Sequence, residues 1–384
     1  MSHPLFSPFQ LRSVAFANRI GVSPMCQYSS QDGFATDWHL VHLGARAQGG
    51  AGLVTLEASA VTPEGRISSA DLGIWKDAHI PALERIAQFI HSQGARAGIQ
   101  LAHAGRKGSM TPPFTGERLL LPEEGGWQPV APSALAFSPA YAVPRPLDQP
   151  GIDATIEAFR RAARRALTAG FDFIEIHAAH GYLLHQFLSP LANQRADAYG
   201  GSFENRTRLV LEVVDAVRAE WPAHLPLLVR ISATDWAETV APGDSSSSLG
   251  RKGGWNIEES VQLACLFRDH GVDLVDVSSG GQIPNAQIPL GPGYQVGFAA
   301  RIRREANIPT AAVGLITDAA QANEIVAQGH ADLIFLARAL LSDPYFPLHA
   351  AATLGEPASW PVQYLRAAPR HSPARTPVTR PESE

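Results

Sequence analysis

Phe171-Asp-Phe-Ile-Glu-Ile-His177-Ala-Ala-His180-Gly-Tyr182 is a short apolar run that ends abruptly in imidazoles, glycine and a phenol. Its apolar residues are nearly continuous rather than alternating, the pattern of a parallel strand covered on both faces. A helical stretch, Ile156–Ala169, precedes it and stops at Gly170. The same unit recurs along the chain. Strands are predicted at Arg19–Val22, Gly52–Glu57, Arg96–Leu101, Phe171–His177, Leu225–Ile231, Val272–Val277, Thr310–Val313 and Asp332–Leu336. Between them, Pro81–Gln93 spaces Leu83, Ile86, Ala87 and Ile90 at helical steps before Gly94. Asp318 is placed to cap a helix over Ala319–Ala327, closed by Gly329. Eight strand–helix units predict an α/β fold, a closed (β/α)8 TIM barrel. The competing doubly wound sheet would want a Gly-x-Gly-x-x-Gly after the first strand, and none is there.

Three stretches interrupt the rhythm. Lys107–Asp148 is rich in Pro and Gly and reads as a long excursion, and Thr239–Gly254 reads as a flexible loop. Both follow strands, so both belong to the catalytic face of a barrel. Residues 367–384 mix Pro, Arg, Ser and Thr and are expected to be a disordered tail behind a single domain over 1–366.

The 384 residues are 45% hydrophobic, enough for a large core, and carry a formal charge of −5. That charge gives no general attraction to nucleic acid or to an anionic membrane, so an anionic ligand must be caught by a few placed groups. Two cysteines, Cys26 and Cys265, cannot make a disulfide framework, a four-thiolate metal site or an iron–sulfur cluster. No membrane-length apolar run and no signal peptide are found. The expectation is a soluble cytoplasmic protein whose partners are small molecules.

Chemistry in such a barrel sits where strands end. Strand three ends in Gln100-Leu-Ala-His-Ala-Gly-Arg106, strand four in His177 to Tyr182, strand five in Arg230, strand six in Ser278-Ser-Gly-Gly281, strand seven in Gly314 and strand eight in Ala337-Arg338. His177 and His180, three apart, invite a metal reading, with His185 as third ligand, but His185 falls among Leu183, Leu184 and Phe187 in a helix. No metal is expected. The same imidazoles suit an oxygen on which negative charge develops. Tyr182 offers a proton donor, or else a buried ring with a satisfied hydroxyl. Gly314 and Arg338 suit a phosphate at strands seven and eight. Arg230 is either a central cation for an electron-rich ring or the partner of Asp235 or Glu175.

Taken together these motifs resemble the Old Yellow Enzyme family, in its bacterial branch of thermophilic-type ene-reductases and xenobiotic reductases. The resemblance rests on Pro24-Met-Cys-Gln-Tyr28, Glu57-Ala-Ser-Ala-Val61, Leu72-Gly-Ile-Trp75, Gly98 through Lys107, Phe171 through Tyr182, Phe187-Leu-Ser-Pro190, Tyr199 through Arg206, Pro292-Gly-Tyr-Gln-Val296, Ala312-Val-Gly314 and Ala331-Asp-Leu-Ile-Phe335 with Arg338. It implies non-covalent FMN, reduced by NADPH or NADH, and reduction of enones, enals, maleimides or nitro-compounds. Ser23, Pro24, Met25, Cys26 and Ala60 would line the flavin, and Gln100 and Arg230 would meet its pyrimidine end. Val313, Gly314, Ala337 and Arg338 would complete the cofactor site at the phosphate. Many relatives carry Gly where this chain has Ala337. His177 and His180 would hold the substrate's activating group, Tyr182 would protonate the alkene carbon, Tyr28 would touch substrate and Cys26 would tune the flavin. Trp360 would form a wall of its own or a neighbouring subunit's site in a dimer or tetramer.

Overall fold

The computed structural model describes residues 3–239 and 253–382, so the loop expected over 239–254 lies outside the described residues except at its ends. Eight parallel strands close into a barrel: β1 (Ile20–Val22), β2 (Leu53–Ala60), β3 (Arg96–Ala102), β4 (Phe173–Ala178), β5 (Leu227–Ser232), β6 (Leu274–Ser278), β7 (Thr310–Ala312) and β8 (Leu333–Leu336). Each pairs with its neighbour in sequence, and β8 returns to β1 through Ile334–Ile20 and Phe335–Gly21. Every strand residue except Arg96 is buried, which is why the apolar runs in the sequence are nearly continuous rather than alternating. β2 runs three residues past its expected end because a register shift between Leu56 and Ala58 lets it keep pairing with β3. Glu57 is the extra residue, a bulge that re-aims its side chain.

Helices alternate with the strands: α1 (Asp37–Gln48), α2 (Ile80–Ser92), α3 (Gln149–Thr168), α4 (Phe203–Glu220), α5 (Ile257–Asp269), α6 (Val296–Ala306), α7 (Ala319–Ala327) and α8 (Phe346–Leu354). Asp148, Ser202, Asn256 and Asp318 each precede a helix and accept the amide of its third residue, satisfying a donor the helix leaves free. Among the described residues no helix is long and apolar enough to cross a membrane.

The barrel's two ends differ. At the strand starts, the hairpin of Phe9–Leu11 with Val14–Phe16 covers the opening, Phe16 meeting Phe173 edge-on at 5.9 Å. Residues 367–382, expected from composition to be disordered, lie against this same end. Arg375 donates to the carbonyls of Ala47, Gln48 and Ser359, and Arg380 donates to Leu167 and sits over Trp221. Arginine forks reaching backbone carbonyls, three of them at the ends of α1 and α3, give a polar segment partners that its composition does not advertise. At the strand ends, the excursion after β3 folds over the mouth, held by a short parallel pair, Val130–Ala131 with Arg145–Pro146. Two short helices, Leu183–Leu188 and Arg338–Ser342, follow β4 and β8.

Candidate active site

Strand register assembles a polar floor beneath the mouth. Gln100 and Glu175 are register partners on β3 and β4, and the Gln100 amide donates to Glu175 Oε1 at 2.7 Å. Arg230 on β5 stands beside His177 on one side and Asp276 on the other. Its Nε lies 3.0 Å from Asp276 Oδ2, and Nη1 donates to Ser23 Oγ at 3.1 Å. The sequence offered Asp235 or Glu175 as the partner of Arg230. Asp276 takes that place because it is level with Arg230 across the β5–β6 ladder, while Asp235 is held by Ser189, Trp255 and His185. His185 thereby has both ring nitrogens engaged, Nε2 with Asp235 and Nδ1 with the Gly181 amide. Burial pushes the Glu175 carboxyl up to about 8, helped by Asp276, and burial also raises Asp276, against the pull of Arg230.

The end of β4 carries the reactive cluster. His177 Nδ1 accepts the Ala179 amide at 3.3 Å, which leaves its proton on Nε2. That nitrogen lies 3.4 Å from His180 Nδ1, and His180 Nε2 reaches Ser278 Oγ at 2.7 Å. His180 sits at a left-handed φ of 58°. Burial, then the charge of Arg230, holds both imidazoles well below the ordinary histidine range, so both are neutral donors. Tyr182 stands with its ring 5.1 Å from that of His177, and burial holds its phenol well above the ordinary range. A neutral phenol beside two neutral N–H donors can stabilise a developing oxyanion and supply a proton.

The segment after β1 is pinned by the bulge in β2. Glu57 accepts the Gln27 amide at 2.8 Å and lies 3.1 Å from His39 Nε2 of α1. This fixes Cys26 and Tyr28 on either side of Gln27, Tyr28 at a φ of 48° with its ring against Phe114 of the excursion. Burial and the charge of Glu57 push the Cys26 thiol well up, so it is a neutral S–H. Ala60 lies with Ala58, Ala102, Ala104, Asp71 and Tyr182 around a small cavity beside this segment.

At the ends of β7 and β8, Gln295 donates to the Val313 carbonyl at 3.0 Å and accepts from Ser279 at 2.7 Å. Gly314 follows at a φ of 119°, which L side chains rarely adopt, and a Cβ there would lie 2.8 Å from Gln295 Nε2. Ala337 precedes the helix begun by Arg338, whose guanidinium makes no ion pair with another of the described residues. The structure therefore brings Ser23 to Tyr28, Ala60, Gln100, His177, His180, Tyr182, Arg230, Val313, Gly314, Ala337 and Arg338 to one end of the barrel. It does not bring Trp360 there. Trp360 exchanges backbone hydrogen bonds with Pro373 and Arg375 beside the strand starts. The sequence reading missed Glu57, Ser278, Gln295 and Lys107 as site residues, although all four fall in quoted motifs or strand ends, where position alone could have raised them.

The model of the NADH:flavin oxidoreductase / NADH oxidase family matches residues 4–356. An NADPH dehydrogenase of Geobacillus sp. (strain WCH70) is 48% identical over 368 residues, covering 95% of this chain and 99% of the relative. An NADPH dehydrogenase of Listeria innocua serovar 6a is 48% identical over 365 residues, covering 94% and 98%. A solved structure of morphinone reductase superposes with a TM-score of 0.76 at 29% identity, covering 93% of this chain and 91% of that one.

Proposed function

The chain belongs to the NADH:flavin oxidoreductase / NADH oxidase family and is an NAD(P)H-dependent FMN oxidoreductase, and from that premise we propose that it reduces electron-poor alkenes. The observation that carries this reading is the pairing of two neutral imidazoles with a protonated phenol, opposite a set of groups suited to FMN. The residues fit that cofactor. Arg338 offers a phosphate an uncommitted cation, and the loop at Val313–Gly314 brings backbone close to it. Arg230 and the Gln100 amide suit the pyrimidine end, with Ser23, Pro24, Met25, Cys26 and Ala60 along the ring. When bound, FMN supplies the hydride chemistry, accepting from NADPH or NADH and delivering to the substrate's β-carbon.

The chain's own groups do the rest. His177 and His180 hold the carbonyl or nitro oxygen and stabilise the charge that develops on it, at no reorganisation cost because both are already fixed. Tyr182 Oη, kept protonated by burial, gives its proton to the neighbouring carbon. The neutral Cys26 thiol would line the flavin without adding charge, and Tyr28 with Phe114 would wall the substrate side. Trp360, remote from its own mouth, contributes to substrate binding only from a second copy of the chain in a dimer or tetramer. The test is the visible spectrum of the purified protein under anaerobic NADPH. A flavin spectrum that bleaches and returns on adding cyclohexenone supports the reading. A colourless protein that FMN does not reconstitute removes it.

A further inference from the structure

The reaction described above leaves one ammonium in the pocket without a role. Lys107 closes the short turn after β3, and its Nζ donates to the carbonyl of His180 at 2.9 Å and of Gly281 at 3.1 Å. The same nitrogen lies 5.3 Å from the centre of the Tyr182 ring and 4.3 Å from that of Phe137 in the excursion. The two carbonyls come from different strand ends that approach as closely as backbone allows. A Cβ on Gly281 would lie 2.3 Å from the His180 carbonyl carbon, and one on Gly181 would lie 2.0 Å from the Gly281 oxygen. His180 and Gly281 both hold left-handed φ values, 58° and 99°. Two partial negative charges are thus pressed together at a strained turn, and one cation faces both.

We propose that Lys107 is a positioning residue for the substrate site: its ammonium ties the His180 turn to the end of β6, aiming the His180 imidazole, and seats the Tyr182 ring by a cation–π contact. This rests on the reading that His177, His180 and Tyr182 handle the substrate. Burial and Arg106 bring the Lys107 ammonium down to about 7, with Glu117 opposing. The other titratable groups facing this corner are His177 near the end of β4, His180 and Tyr182 just after it, Tyr141 in the excursion and Arg230 on β5, and burial keeps the two imidazoles and both phenols neutral. The clamp is strongest with the proton on, so it weakens as pH rises through about 7.

The experiment is the pH profile of kcat/KM for cyclohexenone in the FMN-loaded enzyme with Lys107→Met and Lys107→Arg. We expect the wild type to lose efficiency on a limb near pH 7. Lys107→Met should keep its FMN, fall about tenfold or more at pH 6 and lose the limb. Lys107→Arg should keep the clamp and carry the limb out of range, because a guanidinium does not titrate there. A Lys107→Met enzyme with wild-type efficiency, or any limb near pH 7 that survives in both variants, overturns the proposal. Wild type that cyclohexenone fails to reoxidise overturns the functional reading instead. Should Lys107→Met not fold, the profile of Lys107→Arg decides alone.

Discussion

Burial keeps the Tyr182 phenol protonated across any working pH, so removing that one oxygen should separate two steps that share a pocket. Tyr182→Phe is expected to slow alkene reduction by about 100-fold while NADPH still bleaches the flavin at close to the normal rate. Stopped-flow traces of each half-reaction check it, and equal losses in both would remove Tyr182 as the proton donor. Ser278 acts one step back: its hydroxyl lies 2.7 Å from His180 Nε2 and, donating there, leaves the imidazole's one proton on Nδ1, the nitrogen beside His177 Nε2. Ser278→Ala should raise KM for the alkene roughly two- to tenfold, the net worth of one such hydrogen bond. Glu175 governs a different property, the stability of the apoprotein. Its folded pKa is about 8 against an ordinary 4.5, so between those values the fold holds a proton that the unfolded chain has released. The unfolded state then binds fewer protons, and stability falls as pH rises through that window, levelling off above it. Melting temperatures of wild type and Glu175→Gln from pH 5 to 9 should show a shallower slope in the variant. Unchanged slopes would mean that Glu175 is ionised in the fold. His177, His180, Tyr182 and Arg230 were legible as strand-end polar residues. The roles of Ser278 and Glu175 were not, because each is defined by a partner on another strand.

The strands themselves were legible because a parallel strand buried on both faces writes a nearly continuous apolar run into the sequence. The bulge in β2 was not. Glu57 sits inside such a run, and only the β2–β3 register shift turns its carboxylate to the Gln27 amide and fixes the Cys26–Tyr28 segment. The loop after β7 is where, on the proposed phosphate site, an element's geometry would bear directly on the cofactor. Gly314→Ala forces a methyl into a φ of 119° against Gln295. The strain is about 1–3 kcal/mol, so the loop should rearrange and the FMN dissociation constant should rise about tenfold or more. Flavin fluorescence titrated with apoprotein measures this, and an unchanged constant would exclude the loop from the phosphate site.

Across the whole molecule, one end of the barrel carries the chemistry and the other is closed by its termini. Deleting residues 367–384 removes the arginine contacts to Ala47, Gln48, Ser359 and Leu167 at the closed end. The melting temperature should fall by several degrees, at about 2–4 °C per kcal/mol for a chain of 150–250 residues and less for a longer one. The flavin spectrum should not change, since these contacts are remote from the strand ends. An unchanged melting temperature would make the segment an unstructured tail, as its composition suggested. By itself the sequence determined the eight strands, their alternation with helices, and the end of the barrel at which polar groups gather, because apolar periodicity is a local code that each segment carries alone. Only the tertiary structure decided which carboxylate neutralises Arg230, that Lys107 bridges two strand ends, and that the tail docks rather than drifts. Those outcomes depend on closure and register between segments far apart in the chain, where a single hydrogen-bonding group chooses among several partners by distance.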